Sequence, residues 1–329
     1  MEEIDKCQSG VGGIHESHLH LIQEKTVTPI TYRPGSIEDS PAVYDVFVKS
    51  LLDLSQRMGV MAITGGDDPE VVGSLWESRR SLFEHLARTA AHFWVAEKDG
   101  AIVGFARSIQ RGDLLELTEF FVLPGEQSAG VGGELFRRAF PAEHLGRRTI
   151  IATTDDRALA RYQKAGAYAR FPIKYFHKEP ASIQVETDLQ FEPLFDSSET
   201  LDALGAIDEA VLGHRRDADH RWLISEPERD GILYLRDGRP AGYGYIGESN
   251  GPIALLEEGD FPTVLAHAEW AAGKAGREVG FEVPMVNRAA IDYLLGRGYR
   301  MDAFMALFMS DRPFGRFENY IVLSPPFFF

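Results

Sequence analysis

Cysteine and long apolar runs are nearly absent from this sequence. Cys7 is the only cysteine among 329 residues, so no disulfide can form within the chain, which fits a reducing cytoplasm. No apolar run approaches the roughly 20 residues of a transmembrane helix. The start of the chain is polar and acidic and lacks the apolar core of a secretion signal. We therefore expect a cytoplasmic protein that does not bind a membrane.

Basic residues are also in deficit. Lys and Arg number 34 against 50 Asp and Glu, which gives a formal net charge of −16. Nucleic-acid binding depends on neutralising phosphates with Lys and Arg, so this balance argues against a nucleic-acid partner. It mildly favours neutral or cationic small partners, although acidity also serves solubility alone. The 44% apolar and 26% charged content is ordinary for a globular chain, and the length allows two domains.

A phosphate-binding lysine is missing from a glycine-rich turn. The turn reads VLPGEQSAGVGG at 122–133, between the strand-like run LLELTEFFV and an amphipathic helix pattern. It fits neither a Walker loop, which ends in Gly-Lys-Ser/Thr, nor the dinucleotide fingerprint that follows the first strand of a βαβ unit. Its backbone amides can still bind an anion at the helix N-terminus. The alternative is a turn required only for tight packing.

What the sequence does contain is one pattern repeated twice. Hairpin patterns at 92–109 and 231–246 turn at Asp99-Gly100 and Asp237-Gly238. Helix-start signals at 39–41 and 196–198 precede the two hairpins. Two short helix patterns that end in glycine follow at one spacing: Asp155, Ala158, Tyr162 and Gly166, then Asn287, Ala290, Leu294 and Gly298.

The repeat divides the chain. We predict an N-terminal extension at 1–28, a first domain at 29–180 and a second domain at 188–329. The second copy is shorter between its hairpin and its short helix, because FPTVLAHAEWAAG enters a helix directly, without a glycine-rich turn. The second domain is therefore predicted to be a degenerate copy that has lost the anion site.

The two motifs of the first copy together resemble the GNAT superfamily of N-acetyltransferases. The family signature Val-x-Pro followed by Gln/Arg-x-x-Gly-x-Gly/Ala stands at 122–124 and 127–132. Its second signature, Asn-x-x-Ala-x-x-x-Tyr-x-x-x-Gly-Phe, stands at 155–167 with Asp155 for Asn and Ala167 for Phe, and it keeps Tyr162. The second copy matches in outline, with Leu294 in place of the tyrosine.

This resemblance implies a mixed α/β fold with two tandem GNAT-like domains. It also implies that acetyl-CoA enters where the fourth and fifth strands separate, with no metal. The pantetheine arm would pair with the backbone of Phe120, Phe121 and Val122, and the pyrophosphate would bind the amides of the turn. The implied cofactor-binding residues further along are Gln127, Ser128, Ala129, Gly130, Val131, Gly132, Gly133, Asp155 and Tyr162.

Acetyl transfer needs a base for the amine and an acid for the leaving thiolate. The resemblance implies Tyr162 as the acid. One of two strand glutamates, Glu116 or Glu119, can be the base. Because side chains alternate along a strand and these two are three residues apart, we predict that only one of them faces the cleft. Some tandem relatives use the C-terminal carboxylate as the base, which would be that of Phe329. Simple docking of the apolar tail is the alternative.

The acceptor is expected to be an amine of a small molecule or peptide. The region of the predicted helix at 69–89 walls the acceptor site in this fold, so Trp76, Arg79 and Phe83 are candidate substrate-binding residues, with an ordinary amphipathic helix as the alternative. His15, His18 and His20 lack a supporting carboxylate or cysteine cluster, so we expect no metal there. Self-association stays open. The rival function is a non-catalytic acyl-CoA sensor.

Overall fold

The computed structural model describes residues 29–59, 69–127, 130–181, 183, 185 and 187–323, and it contains a mixed α/β chain with the predicted repeat. The elements of the first half (29–180) are β1 Thr31–Pro34, α1 Ser40–Met58, α2 Pro69–Thr89, β2 Ala90–Lys98, β3 Ala101–Arg111, β4 Leu114–Val122, α3 Val131–Ala139, β5 Arg147–Ala152, α4 Asp156–Lys164 and β6 Tyr168–Lys178. Those of the second half (188–329) are β7 Gln190–Pro193, α5 Ser198–Val211, α6 Asp217–Ser225, β8 Arg229–Arg236, β9 Arg239–Gly247, β10 Ile253–Leu255, α7 Phe261–Ala275, β11 Val279–Pro284, α8 Arg288–Gly296, β12 Arg300–Ser310 and β13 Tyr320–Ile321.

Local sequence signals account for the repeated elements. The hairpin turns have positive φ at both central residues, 53° and 77° at Asp99-Gly100 and 50° and 72° at Asp237-Gly238, as a two-residue hairpin requires. The side chains of Asp155 and Asn287 cap α4 and α8 by accepting backbone N–H groups. The predicted hairpins and the two predicted short helices are confirmed. Among the described helices, none combines the length and apolar character needed to cross a membrane.

The two halves are interleaved through one sheet. Eight strands pair in the order β1-β2-β3-β4-β5-β12-β6-β11. Strand β12 of the second half therefore lies between β5 and β6 of the first, while β6 lies between the second-half strands β12 and β11. The other sheet, in the order β13-β10-β9-β8-β7, belongs to the second half alone. The repeat did not predict this exchange.

A hydrophobic core also joins the halves. Leu82 and Leu86 of α2 pack in one buried cluster with Leu204 of α5, Leu223 of α6 and Phe308 of β12. Separate clusters lie beneath α3 and α4, beneath α1 and α2, and beneath α7 and α8. The helices that precede each hairpin, α1–α2 and α5–α6, thus lie on the side where the two halves meet, and α3–α4 lie on the far face of the first half.

Candidate functional site

A cavity opens where two parallel strands separate. Strands β4 and β5 pair from Leu114 opposite Arg147 to Leu117 opposite Ile150, after which β4 continues to Val122 without β5 as a partner. The cavity has a volume of about 210 Å³ and is walled by α1, β4, the glycine-rich turn, β5 and α4. Of the predicted residues, it is lined by Phe120, Phe121, Val122, Gln127, Gly132, Asp155 and Tyr162.

The open edge of β4 supplies main-chain groups to this cavity. The N–H of Leu123 donates to the carbonyl of Val103 on β3 at 2.9 Å. Because hydrogen-bonded and open positions alternate along an antiparallel strand, the N–H and C=O of Phe121 also face β3, and those of Phe120 and Val122 face the cavity. Of the three residues predicted to pair with a pantetheine arm, Phe120 and Val122 direct main-chain groups to the cavity, and Phe121 is also among the lining residues.

The glycine-rich turn leads directly into α3. Gly130, with φ of 79°, is the residue before the helix, and its carbonyl accepts from the N–H of Gly133 and of Glu134. Gln127 fixes the turn, because its Nε2 donates to the carbonyl of Val122 at 3.1 Å and its Oε1 accepts from Arg157 at 3.0 Å. Val131 is buried in the core. Ser128 and Ala129 lie outside the described residues.

Tyr162 forms the inner wall of the cavity. Its ring is 5.8 Å from the ring of Phe136 and 6.5 Å from that of Phe120, and only 6% of the residue is exposed. Burial raises the pKa of the Tyr162 phenol well above its usual value, while the nearby charge of Arg161 acts in the opposite direction. The phenol is therefore protonated at neutral pH and can donate a proton.

Three arginines line the cavity and were missed by the sequence analysis. Asp155 accepts from Arg57 at 2.8 Å and from Arg157 at 3.3 Å. Partial burial would raise the pKa of Asp155, but these hydrogen bonds lower it to about 2. The third arginine is Arg161, one turn of α4 beyond Arg157. The signal available was the i, i+4 spacing of two arginines within the second motif.

A β-bulge changes the predicted geometry of the two strand glutamates. Arg107 of β3 pairs with Glu119 and the next residue, Ser108, pairs with Leu117, so Thr118 is an extra residue on β4. The bulge shifts the alternation and brings Glu116 and Glu119 to the same face of the sheet, the face of α1 and α2. The prediction that they point to opposite faces is therefore wrong.

Neither glutamate lines the cavity. Glu119 is fully enclosed and forms a buried ion pair with Arg107, whose Nε donates to it at 2.5 Å. Arg107 also donates to the carbonyl of Phe83 at 2.9 Å, so this charge pair ties β3 and β4 to α2. Glu116 is 2% exposed and lies close enough to Tyr320 of β13 to affect its ionisation.

The predicted acceptor residues lie on α2, outside the cavity lining. Phe83 is buried and Trp76 is half-buried, and their rings lie 5.3 Å and 5.1 Å from the ring of Tyr44 on α1. Arg79 is half-buried on the same helix. Their role in acceptor binding stays a prediction. The next turn of α2 contacts the second half, where His85 Nε2 is 2.7 Å from Asp219 of α6.

The corresponding gap in the second half is filled. Between β10 and β11 lies β13, which pairs with β10 at Ile253–Ile321 and Ala254–Tyr320 and bridges to β11 between Glu282 and Val322. The side chain of Asn287, at the position that matches Asp155, donates to the carbonyl of Tyr320 at 3.2 Å. The strand therefore occupies in the second half the place that is open in the first.

Two further predictions fall on residues that the structure leaves out. His15, His18 and His20 lie outside the described residues, and so does Phe329, so neither the metal alternative nor the C-terminal carboxylate is tested. Within 29–59, 69–127, 130–181 and 187–323, no three His, Cys, Asp or Glu side chains are grouped as a metal site.

The sequence around the cavity of the first half matches a known protein family. Residues 89–166, which include the hairpin, β4, the turn and α4 up to Gly166, match the family described as the acetyltransferase (GNAT) domain. No curated protein matches the sequence.

Solved structures share the fold over both halves. A candidate acetyltransferase from Pyrococcus horikoshii aligns with a TM-score of 0.68 at 15% identity, covering 92% of this chain and 97% of that one. A GCN5-related N-acetyltransferase from Sphaerobacter thermophilus has a TM-score of 0.55 at 16% identity, covering 86% and 96%. A tandem GNAT protein from the clavulanic acid biosynthesis pathway has a TM-score of 0.51 at 14% identity, covering 87% and 99%. At such identities the likeness shows the fold alone.

Proposed function

We propose that the first half of this chain, in which residues 89–166 match the acetyltransferase (GNAT) domain, transfers an acyl group, in the first instance acetyl, from acyl-CoA to a primary amine. The observation that carries the proposal is the cavity between β4 and β5, which combines the open edge of β4, the turn residues Gln127 and Gly132 and the phenol of Tyr162. An extended pantetheine arm fits such an edge as an added strand would, by hydrogen bonds to Phe120 and Val122.

The donor requires no metal in this proposal. The backbone amides at the start of α3 face the turn and carry the partial positive charge of the helix end, so they suit a pyrophosphate. When bound, acyl-CoA supplies an activated thioester. The chain would hold it in an extended form, keep its acyl end beside Tyr162, and leave the acceptor to approach from the α1–α2 side.

Tyr162 is the proposed general acid. Its buried phenol keeps its proton at neutral pH and lies in the cavity wall, so it can protonate the departing thiolate. Of the two strand carboxylates, Glu116 is the better candidate base, because Glu119 is committed to Arg107. Glu116 would take the amine proton through water, since it does not line the cavity itself. The carboxylate of Phe329 is the competing proposal.

The test is thiol release from acetyl-CoA with a panel of primary amines as acceptors. We expect turnover with at least one amine, and Tyr162→Phe should lower kcat by about 100-fold or more while it keeps acetyl-CoA binding. Tyr168→Phe is the matched control, since Tyr168 is exposed on β6 and lies outside the cavity lining. Tight acetyl-CoA binding with no turnover on any amine would favour the sensor instead.

The base needs a separate experiment. Glu116→Gln should lower kcat and remove the acidic limb of the pH–rate profile, whereas one alanine added after Phe329 should leave both unchanged. If the added alanine abolishes turnover in a folded protein and Glu116→Gln does not, the C-terminal carboxylate is the base.

A further inference from the structure

Arg161 has an unusual position in the cavity wall. It lies on α4 directly before Tyr162 and reaches the glycine-rich turn, where a Cβ atom added to Gly132 would lie only 2.6 Å from its Nη1. Its guanidinium carbon is 5.3 Å from the centre of the Phe120 ring. The side chain therefore rests on the backbone of the turn, a close approach that the missing side chain of Gly132 allows.

Arg161 is the one arginine of the cavity lining whose charge no carboxylate of the lining neutralises. Three arginines and a single carboxylate, Asp155, are charged among the lining residues. Arg57 and Arg157 both donate to Asp155. For Arg161, the described part of the chain offers no carboxylate and no hydrogen-bond acceptor, only the ring of Phe120. In a chain with a net charge of −16, a cation facing a cavity in this way calls for an anionic ligand.

We propose that Arg161 is a donor-binding residue, and that its guanidinium binds the diphosphate of an acyl-CoA; this rests on the function proposed above. An acyl-CoA offers two kinds of phosphate, the diphosphate and the phosphate on the ribose 3′-oxygen. The diphosphate is favoured because Arg161 lies at Gly132, in the first turn of α3, where the helix-end amides would bind the same anion. A planar guanidinium can donate two parallel hydrogen bonds to two phosphate oxygens, which a single backbone amide cannot.

A second role for the same charge predicts different kinetics. Arg161 adjoins Tyr162, and its positive charge works against the effect of burial on that phenol. If Arg161 acted only through Tyr162, its removal would lower kcat and shift the alkaline limb of the pH–rate profile while donor binding stayed constant. A phosphate contact instead weakens binding and raises KM, with kcat and the pH profile little changed.

The experiment measures the binding of CoA and of 3′-dephospho-CoA to the full chain by calorimetry. Arg161→Gln should weaken both ligands by roughly the same factor, about 10-fold or more, because a charge-assisted contact to the shared diphosphate is lost. Arg161→Lys should recover part of the affinity, since it restores the charge without the bidentate geometry. Arg137→Gln removes the same charge from an exposed position on α3, outside the cavity, and should leave both affinities unchanged.

The outcomes separate this inference from the function beneath it. If the wild-type chain binds neither ligand, the proposed function fails and the inference fails with it. If the wild-type chain binds and turns over, and Arg161→Gln binds both ligands as tightly, the inference alone is wrong. A loss confined to CoA would assign Arg161 to the 3′-phosphate and overturn it too. Should Arg161→Gln lower the melting temperature below the assay range, Arg161→Lys decides by the same comparison.

Discussion

The two halves of this chain differ in what occupies the gap between their two separating strands. In the first half the gap between β4 and β5 is an open cavity, whereas in the second half the equivalent gap between β10 and β11 holds β13. The cap of the following helix shows the difference: Asp155 faces the cavity with two arginines, while Asn287 donates to the filling strand. A splayed pair of strands leaves backbone groups unpaired, so it needs an extended partner, either a ligand or the chain itself.

The residues around each gap follow from its occupant. Tyr162 lines the cavity, and its counterpart Leu294 is fully buried in the same cluster as Ile321 of the filling strand. The helix after the second gap begins at Phe261 with a proline in its first turn and no glycine-rich turn. Loss of the tyrosine, loss of the turn and gain of the strand are thus one change seen at three places.

The largest effect should come from the buried charges that only the first half carries on its third strand. Arg107 stands three residues after Gly104, and its counterpart after Gly242 is Tyr245, whose hydroxyl contacts His220 at 2.8 Å. Glu119→Gln should cost about 3–5 kcal/mol of unfolding free energy, because Arg107 would stay buried without its carboxylate. Tyr245→Phe should cost about 1 kcal/mol. Urea unfolding of both variants measures this, and equal losses would contradict it.

The next effect concerns the filled gap. Ile321 is fully buried between β10 and the helices of the second half, so Ile321→Ala should lower the unfolding free energy by about 2–5 kcal/mol. Leu54→Ala is the comparison, because Leu54 of α1 borders the open cavity and its surroundings are incompletely packed. Chemical denaturation should show a smaller loss for Leu54→Ala. A larger loss at Leu54 would mean that β13 does not support the second half.

A substitution at the open gap should weaken ligand binding and leave folding intact. Gly132→Val would place a side chain where Arg161 lies at 2.6 Å and Phe120 at 3.2 Å, so the turn could no longer receive a phosphate. We expect the dissociation constant for CoA to rise by roughly 10-fold or more, a loss of about 1.4 kcal/mol. Gly273→Ala in α7 is the control, because its Cβ would meet only Pro180 at an ordinary 3.6 Å. Unchanged CoA binding in Gly132→Val would place the phosphates elsewhere.

The contrast between the halves was only partly visible in the sequence. The hairpins, the short helices α4 and α8 and the missing turn depend on short-range signals, such as Asp-Gly at a tight turn, and these were predicted correctly. The exchange of β6 and β12 was not, because two strands of similar pattern do not encode which neighbour each will choose. The bulge at Thr118 reversed the predicted facing of Glu119, since one extra residue inverts every later side chain on a strand.

The smallest effect is a pH dependence beside the filling strand. Burial, helped by the charge of Asp302, raises the pKa of Glu282 to about 8, whereas Asp155 at the open gap has a pKa of about 2. The pKa of Glu282 is higher in the folded chain than in the unfolded chain. Protonated Glu282 therefore contributes stability that is complete below about pH 4.5 and is lost as the pH rises through 8. Glu282→Gln should therefore match the wild type at pH 4 and exceed it by about 1 kcal/mol or more at pH 9. Denaturant titrations at both pH values measure this.

Tyr175, the facing residue on β6, keeps its proton in that range because burial raises its pKa to about 12. A variant that gains nothing at pH 9 would show that Glu282 ionises freely beside β13.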